Sequence, residues 1–113
     1  MKIPEQISKE IEIIGGIDKI IERLPDENKM IRQSNIYYAL SSPLRLKILN
    51  LLSIQPLCAC VIQKITKTSP SKLSYHLSVL ADNNLIEGNR EASWITYSLT
   101  ELGKKYVFHS NIG

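Results

Sequence analysis

Apolar residues near the start of the chain fall at Ile3, Ile7, Ile11, Ile14, Ile17, Ile21 and Leu24, steps of three and four that draw one stripe along a helix. Ile7, Ile14 and Ile21 also stand seven apart, the spacing of a seam between helices. The stripe can pack on the rest of the domain or on a second copy of itself, and a branched-aliphatic seam on so short a chain favours the second copy. Gly15-Gly16 interrupts it at a cost of about 1 kcal/mol per glycine relative to alanine, which predicts a kink or two short helices. A strand-turn-strand arrangement is the alternative for so isoleucine-rich a segment. Pro25 ends the element.

The period stays helical for the next sixty residues. Asp26 is placed to cap a helix running to about Leu40, and Ser42-Pro43 supplies the cap and first-turn proline of another. That helix, Leu44 to Ile54, is apolar nearly all round and is expected at the buried centre. A short helix follows the Gln55-Pro56 break, from about Cys58 to Lys64, with Val61, Ile62 and Ile65 inward. Thr66 to Ser69 read as a polar turn, and Ser69 or Thr68 with Pro70 opens a helix to about Asn83. Helix, short turn and helix is the helix-turn-helix layout. The period then changes to two. Leu85-Ile86 opens a strand, residues 88–93 read as a polar loop, and Trp94 to Leu99 alternates as a second strand. Thr100 is expected to cap a last helix, and Ser110 to Gly113 to fray. The fold class is therefore mainly α (α+β), a winged helix-turn-helix with a two-stranded hairpin wing and an N-terminal helical extension. The extension covers residues 1–25, the core 38–99 and the last helix 100–113 of a single domain.

Composition narrows the class. At 113 residues, 43% hydrophobic and 22% charged, the chain is one foldable domain without room for a two-lobed catalytic cleft. Its apolar runs are too short to cross a membrane, and the opening MKIPEQISKE lacks the core of a signal peptide, so a cytoplasmic protein is expected. The net charge is only +3, but its distribution is uneven. No acid occurs between Glu27 and Asp82, whereas Lys29, Arg32, Arg45, Lys47, Lys64, Lys67 and Lys72 do. A stretch of that kind suits a polyanion such as DNA, although a solvated basic surface has the same composition.

On a helical wheel, Leu73, Leu77, Leu80 and Ala81 share the face that must lie on the core. Opposite stand Ser71, Tyr75, Ser78 and Asp82, flanked by Lys72 and Ser74. Short hydroxyls, one lysine and one tyrosine can reach base edges and phosphates in a major groove, whereas a merely solvated helix is usually dominated by Glu and Lys. His76 lies at the edge of the inward face, suited to a structural bond or a phosphate contact rather than to a metal. Arg90, near the tip of the hairpin, is placed to reach an adjacent minor groove or its phosphates.

The run Ala39-Leu40-Ser41-Ser42-Pro43-Leu44-Arg45-Leu46-Lys47-Ile48-Leu49 resembles the ALSDPTRLRIL opening of the ArsR/SmtB winged helix-turn-helix repressors. Ser71 to Leu80 is similar to that family's STVSHHLKVL recognition helix. The resemblance, from Tyr38 to Leu99, implies a homodimer paired through its first and last helices that binds a roughly palindromic operator in double-stranded DNA and represses nearby genes. Carried over by position, Ser71, Lys72, Ser74 and Tyr75 contact DNA and His76 adjoins its backbone. Pro70 replaces a glutamine that often contacts a base.

The two cysteines, Cys58 and Cys60, are separated by one residue, too close to staple a fold. Leu57-Cys58-Ala59-Cys60 resembles the LCVC core by which arsenic-sensing members hold As(III) or Sb(III), and soft thiolates select such ions. In that reading no cofactor is required, and the soft ion is an effector that pulls on the first helix of the helix-turn-helix and tilts the second. Val61 stands in place of the family aspartate, and the chain has no third cysteine. On a regular helix the two thiols would sit about 200° apart, so both grip one ion only where the turn unwinds. A redox switch between the two cysteines and an inert packed pair are the alternatives. His109 stands alone, without the His/Asp/Glu set of the family's other metal site. No enzyme motif appears, so no catalytic activity is expected. A third class is a protein-interaction module that uses the isoleucine stripe.

Overall fold

Gly15 and Gly16 split the N-terminal isoleucine stripe into two helices. The first, α1 (Glu5–Ile14), stops at Gly15, whose left-handed backbone, φ 115°, turns its N–H back to the Ile11 and Glu12 carbonyls. Gly16, at φ 95°, donates to the Ile11 carbonyl at 2.9 Å and opens α2 (Ile17–Glu22). Both angles favour glycine, so the pair works as a hinge of fixed geometry rather than as a mere weakness in one long helix. Asp26 Oδ1 then accepts the Asn28 N–H at 2.9 Å at the start of α3 (Glu27–Leu40). No residue of α1 or α2 is buried.

Residues 1–109 are described in the computed structural model, and the chain divides into two units, Met1–Ile31 and Arg32–Gly113. The last four residues, for which fraying was expected, lie outside the described ones. In the second unit the core forms around α4 (Pro43–Ile54). Ser42 accepts the Arg45 N–H at 3.3 Å and Pro43 fills the first turn, as the Ser-Pro pair predicts. Ile48, Leu49 and Leu52 of this helix are buried against Ile62 of α5 (Ala59–Thr66) and against Leu73, Leu77 and Leu80 of α6 (Pro70–Asp82). Ile54 stays exposed, so α4 is central without being covered on every side.

The sheet has three strands in the order β1-β3-β2, one more than the hairpin expected from the sequence. The extra strand, β1 (Leu57–Cys58), pairs antiparallel with β3 (Trp94–Leu99) in the register Leu57↔Tyr97 and Cys58↔Thr96. The other, β2 (Ile86–Glu91), runs through Gly88-Asn89-Arg90-Glu91, where a loop was expected, and turns at Ala92-Ser93. The difference has a simple cause. All of β2 beyond Ile86 is exposed, so its side chains carry no alternation of polarity.

Thr100 closes the unit. Its N–H donates to the Leu85 carbonyl at 3.2 Å, its hydroxyl donates to the Asn84 carbonyl at 2.6 Å, and that hydroxyl accepts the Gly103 N–H at 3.0 Å. Only a single 3-10 turn, Gly103–Tyr106, follows among the described residues, in place of the longer helix expected from Thr100. Val107 takes extended backbone, and the Phe108 N–H goes to Asn50 Oδ1 at 2.9 Å. A Cβ at Gly103 would run into the Leu85 carbonyl, so the close approach of turn and chain requires glycine. No described helix is long and apolar enough to cross a membrane.

Candidate nucleic-acid interface

The helix-turn-helix is built by local chemistry on both sides of its turn. Lys67 takes a left-handed backbone, φ 54°, and gives its N–H to the Gln63 carbonyl at 2.8 Å, which stops α5. Ser69 then accepts the Lys72 N–H at 3.3 Å and Pro70 starts α6. With Leu73, Leu77 and Leu80 committed to the core, Ser71, Lys72, Ser74, Tyr75 and Ser78 are left on the solvent side. This face carries no carboxylate between Pro70 and Ala81. Lys47, Lys64, Lys67 and Lys72 are likewise exposed, giving the surface of this unit a positive field in which phosphates would be neutralised.

Arg45 does not belong to that field. Its side chain is buried, 4% exposed, and its guanidinium is used inside the unit. Nε donates to the Ala39 carbonyl at 2.8 Å, and Nη2 donates to the Tyr38 carbonyl at 3.0 Å. Both carbonyls lie in the last turn of α3, where the Tyr38 carbonyl also accepts the Ser41 N–H at 3.1 Å and the Ser41 hydroxyl at 2.6 Å, and a cation there suits the helix dipole. Nη1 lies 2.9 Å from His76 Nδ1 on α6. The guanidinium also stands 5.0 Å from the centre of the Tyr38 ring, a cation–π contact. Arg45, unlike the other basic residues of the acid-free stretch, is therefore not a charge offered to DNA.

His76 is half-buried, and burial first, then Arg45 and Lys72, holds its pKa below the usual value of 6.5. The neutral imidazole accepts at Nδ1 and keeps its proton at Nε2. Next to it, the Tyr75 hydroxyl lies 2.7 Å from the Tyr38 hydroxyl, and this bond, with the neighbouring phenol's charge, raises the Tyr75 pKa. The Tyr75 and His76 rings meet edge to face at 5.3 Å. Tyr38 was missed in the sequence. Its only trace there is an aromatic residue just ahead of the Ser-Pro cap.

Arg90 sits on the exposed part of β2, opposite Ile95 of β3. Its side chain lines a cleft of about 280 Å³ together with Cys58, Cys60, Ser93, Trp94 and Tyr97. The geometry thus joins Arg90 to the cysteines rather than to the face of α6. The cysteine pair lies at the junction of two elements. Cys58 is in β1 with extended backbone, φ −78° and ψ 159°, and caps α5, whereas Cys60 is in that helix's first turn. The extended residue removes the 200° separation of a regular helix. Their Cα atoms are 5.4 Å apart and the sulfurs form a disulfide. No group of three or more His, Cys, Asp or Glu side chains suited to a metal occurs among the described residues.

Comparison with known proteins agrees with this geometry. A family model described as "Bacterial regulatory protein, arsR family" matches residues 42–87. Over 74 residues the chain is 36% identical to the arsenical resistance operon repressor of Staphylococcus xylosus, covering 66% of this chain and 71% of that one. It is 41% identical over 44 residues to the arsenical resistance operon repressor of Bacillus subtilis, 39% of this chain and 42% of the other. Among solved structures, NolR from Sinorhizobium fredii aligns with a TM-score of 0.64 at 28% identity, over 74% of this chain and 87% of its own.

Proposed function

Since the chain belongs to the arsR family of bacterial regulatory proteins and is a DNA-binding transcriptional regulator, we propose that it acts as a homodimeric repressor that presents two copies of α6 to a palindromic operator. The observation that carries the proposal is the division of α6 into a buried leucine face and an exposed face of hydroxyls, lysine and tyrosine that holds no acid before Asp82 at its end. Ser71, Lys72, Ser74 and Tyr75 then meet base edges and phosphates, and His76 offers its Nε2–H to the backbone. Arg90 adds a contact from the wing, where a basic side chain can reach the minor groove. The protein works in the cytoplasm, with the DNA that it reads.

Residues 1–25 serve pairing in this reading. Helices of ten and six residues are marginal alone in water, and here Ile7, Ile14, Ile17, Ile20 and Ile21 are all exposed. A second copy of the same stripe would cover them.

The effector site is the cysteine pair. Relatives named for arsenical resistance and two converging soft donors support As(III) or Sb(III) as the ion held by Cys58 and Cys60 in their thiolate form. The described residues supply no third donor of the usual kind, so solvent or a small thiol completes the set. A second reading, a thiol–disulfide switch at the same two residues, is supported by the disulfide itself.

The test is a gel shift with the DNA upstream of the chain's own coding sequence, under reducing conditions. Replacing Lys72 and Ser74 together by alanine is expected to weaken binding by about 2 kcal/mol or more, since each direct contact contributes about 1 to 3 kcal/mol. Unchanged affinity would remove α6 from the interface. Arsenite is expected to release the wild-type protein but not Cys58→Ser.

A further inference from the structure

Three groups with related chemistry share the cleft beside β3. The first is the Cys58–Cys60 disulfide, with Cys60 exposed and Cys58 half-buried. The second is the exposed Arg90 guanidinium, which has no carboxylate within salt-bridge distance among the described residues, where the ion pairs are Glu5–Lys9, Lys19–Glu22 and Glu101–Lys104. The third is a wall of Ile95 and Tyr97, which share one face of β3, Ile95 in register with Arg90. A volume of about 280 Å³ admits a molecule of a few heavy atoms.

We propose that this cleft receives a small anionic thiol, whose carboxylate pairs with Arg90 while its sulfur reduces the Cys58–Cys60 disulfide. The inference rests on the reading of the cysteine pair as the effector site and names the ligand class that its oxidised form takes. In the first step the thiolate attacks the exposed sulfur of Cys60. A bond forms between the two sulfurs, the Cys58–Cys60 bond breaks, and its electron pair leaves on Cys58 at the N-terminus of α5, a position that favours a thiolate. A second thiolate then attacks the small molecule's sulfur in the mixed disulfide and expels Cys60. Two small thiols are oxidised to one disulfide, the protein disulfide is reduced to two thiols, and the protons lost by the small thiols end on the cysteines.

Arg90 gives the cleft a link to DNA. The guanidinium assigned to the operator from the wing is the one that would hold the thiol's carboxylate, so the two ligands compete for one charge. β1 adds a mechanical link, because Cys58 pairs with Thr96 on the strand that forms one side of the wing.

The experiment measures the rate at which the oxidised full-length protein gains two thiols, by alkylation and intact mass, with mercaptoacetate and with cysteamine as reductants. The mercaptoacetate-to-cysteamine rate ratio in the wild type, divided by the same ratio in Arg90→Gln, cancels the intrinsic reactivity of each thiol. The expected quotient is about fivefold or more at low salt and falls as salt is added. Lys104→Gln, which changes a cation outside the cleft, is expected to keep the wild-type ratio. A quotient of one, or an equal loss in Lys104→Gln, overturns the proposal. Operator affinity of the oxidised and reduced forms is measured in parallel. Equal affinities would overturn the effector reading and leave the rate quotient as an independent result.

Discussion

Arg45 Nη1 lies 2.9 Å from His76 Nδ1, so a guanidinium that keeps all its protons makes the imidazole the acceptor. This one bond joins the start of α4 to the exposed half of α6, and the other two bonds of Arg45 reach the end of α3. Three helices therefore depend on one buried cation. Its charge is distributed over acceptors rather than opposed by a carboxylate.

Arg45→Ala would leave the Ala39 carbonyl and His76 Nδ1 without their donor, while the Tyr38 carbonyl keeps the Ser41 N–H and hydroxyl. The expected loss of folding stability is about 3 kcal/mol, because unsatisfied acceptors cost more than the bonds contribute net. Urea unfolding checks this, and a loss under about 1 kcal/mol would mean that water or a rearranged side chain replaces the guanidinium without penalty.

The lowered pKa of His76 gives stability a pH dependence of definite sign. The unfolded chain takes up the proton at a higher pH than the folded one, so this contribution is complete above about pH 6.5 and is lost as the pH falls through the folded-state pKa. In His76→Asn, whose amide oxygen can accept from Arg45 without titrating, the fall in urea midpoint between neutral and mildly acidic pH is expected to be smaller. Parallel curves for the two proteins would assign the acid sensitivity to other groups.

Gly103 is expected to tolerate no side chain. Gly103→Ala places a methyl against the Leu85 carbonyl and should cost about 2 kcal/mol, as overpacking does elsewhere. The same substitution at Gly16, where a Cβ meets nothing within 4 Å, would be opposed only by its backbone, φ 95° and ψ 174°, a region almost confined to glycine, at about 1 to 3 kcal/mol. Thermal melts of the two variants distinguish a steric clash from a backbone preference.

Deleting residues 1–25 is expected to move the protein from dimer toward monomer in light scattering and to weaken operator binding with it. An unchanged dimer mass would give the pairing to other surfaces and leave the isoleucine stripe without its proposed role.

Much of the fold was legible because it rests on short-range rules. Ser42-Pro43 and Ser69-Pro70 mark two helix starts, and the leucine spacing of residues 73–80 separates the buried from the exposed face of α6. β1 was not legible, because two residues cannot establish a period and their partner lies some forty positions away. The polar half of β2 was read as loop for a related reason: a strand exposed on both faces has no polarity pattern. In the candidate site, the exposed residues of α6 followed from the wheel. Arg45 did not, since burial of its charge depends on acceptors from two other helices, α3 and α6, and not on neighbours in sequence. The cysteine geometry was likewise hidden, because the extended backbone of Cys58 is set by its pairing with Thr96.

The strand order β1-β3-β2 leaves one side of β2 unpaired, with six residues of backbone open to any passing chain. Glu87, Arg90 and Glu91 lie on that strand and alternate in sign, which keeps it hydrated and makes a second copy a poor edge-to-edge partner. The two glutamates would repel phosphate, so on a wing that meets DNA as proposed they would oppose binding. Charge on an open edge thus disfavours edge-to-edge association, and the same charge sets a limit on the affinity that this wing could add.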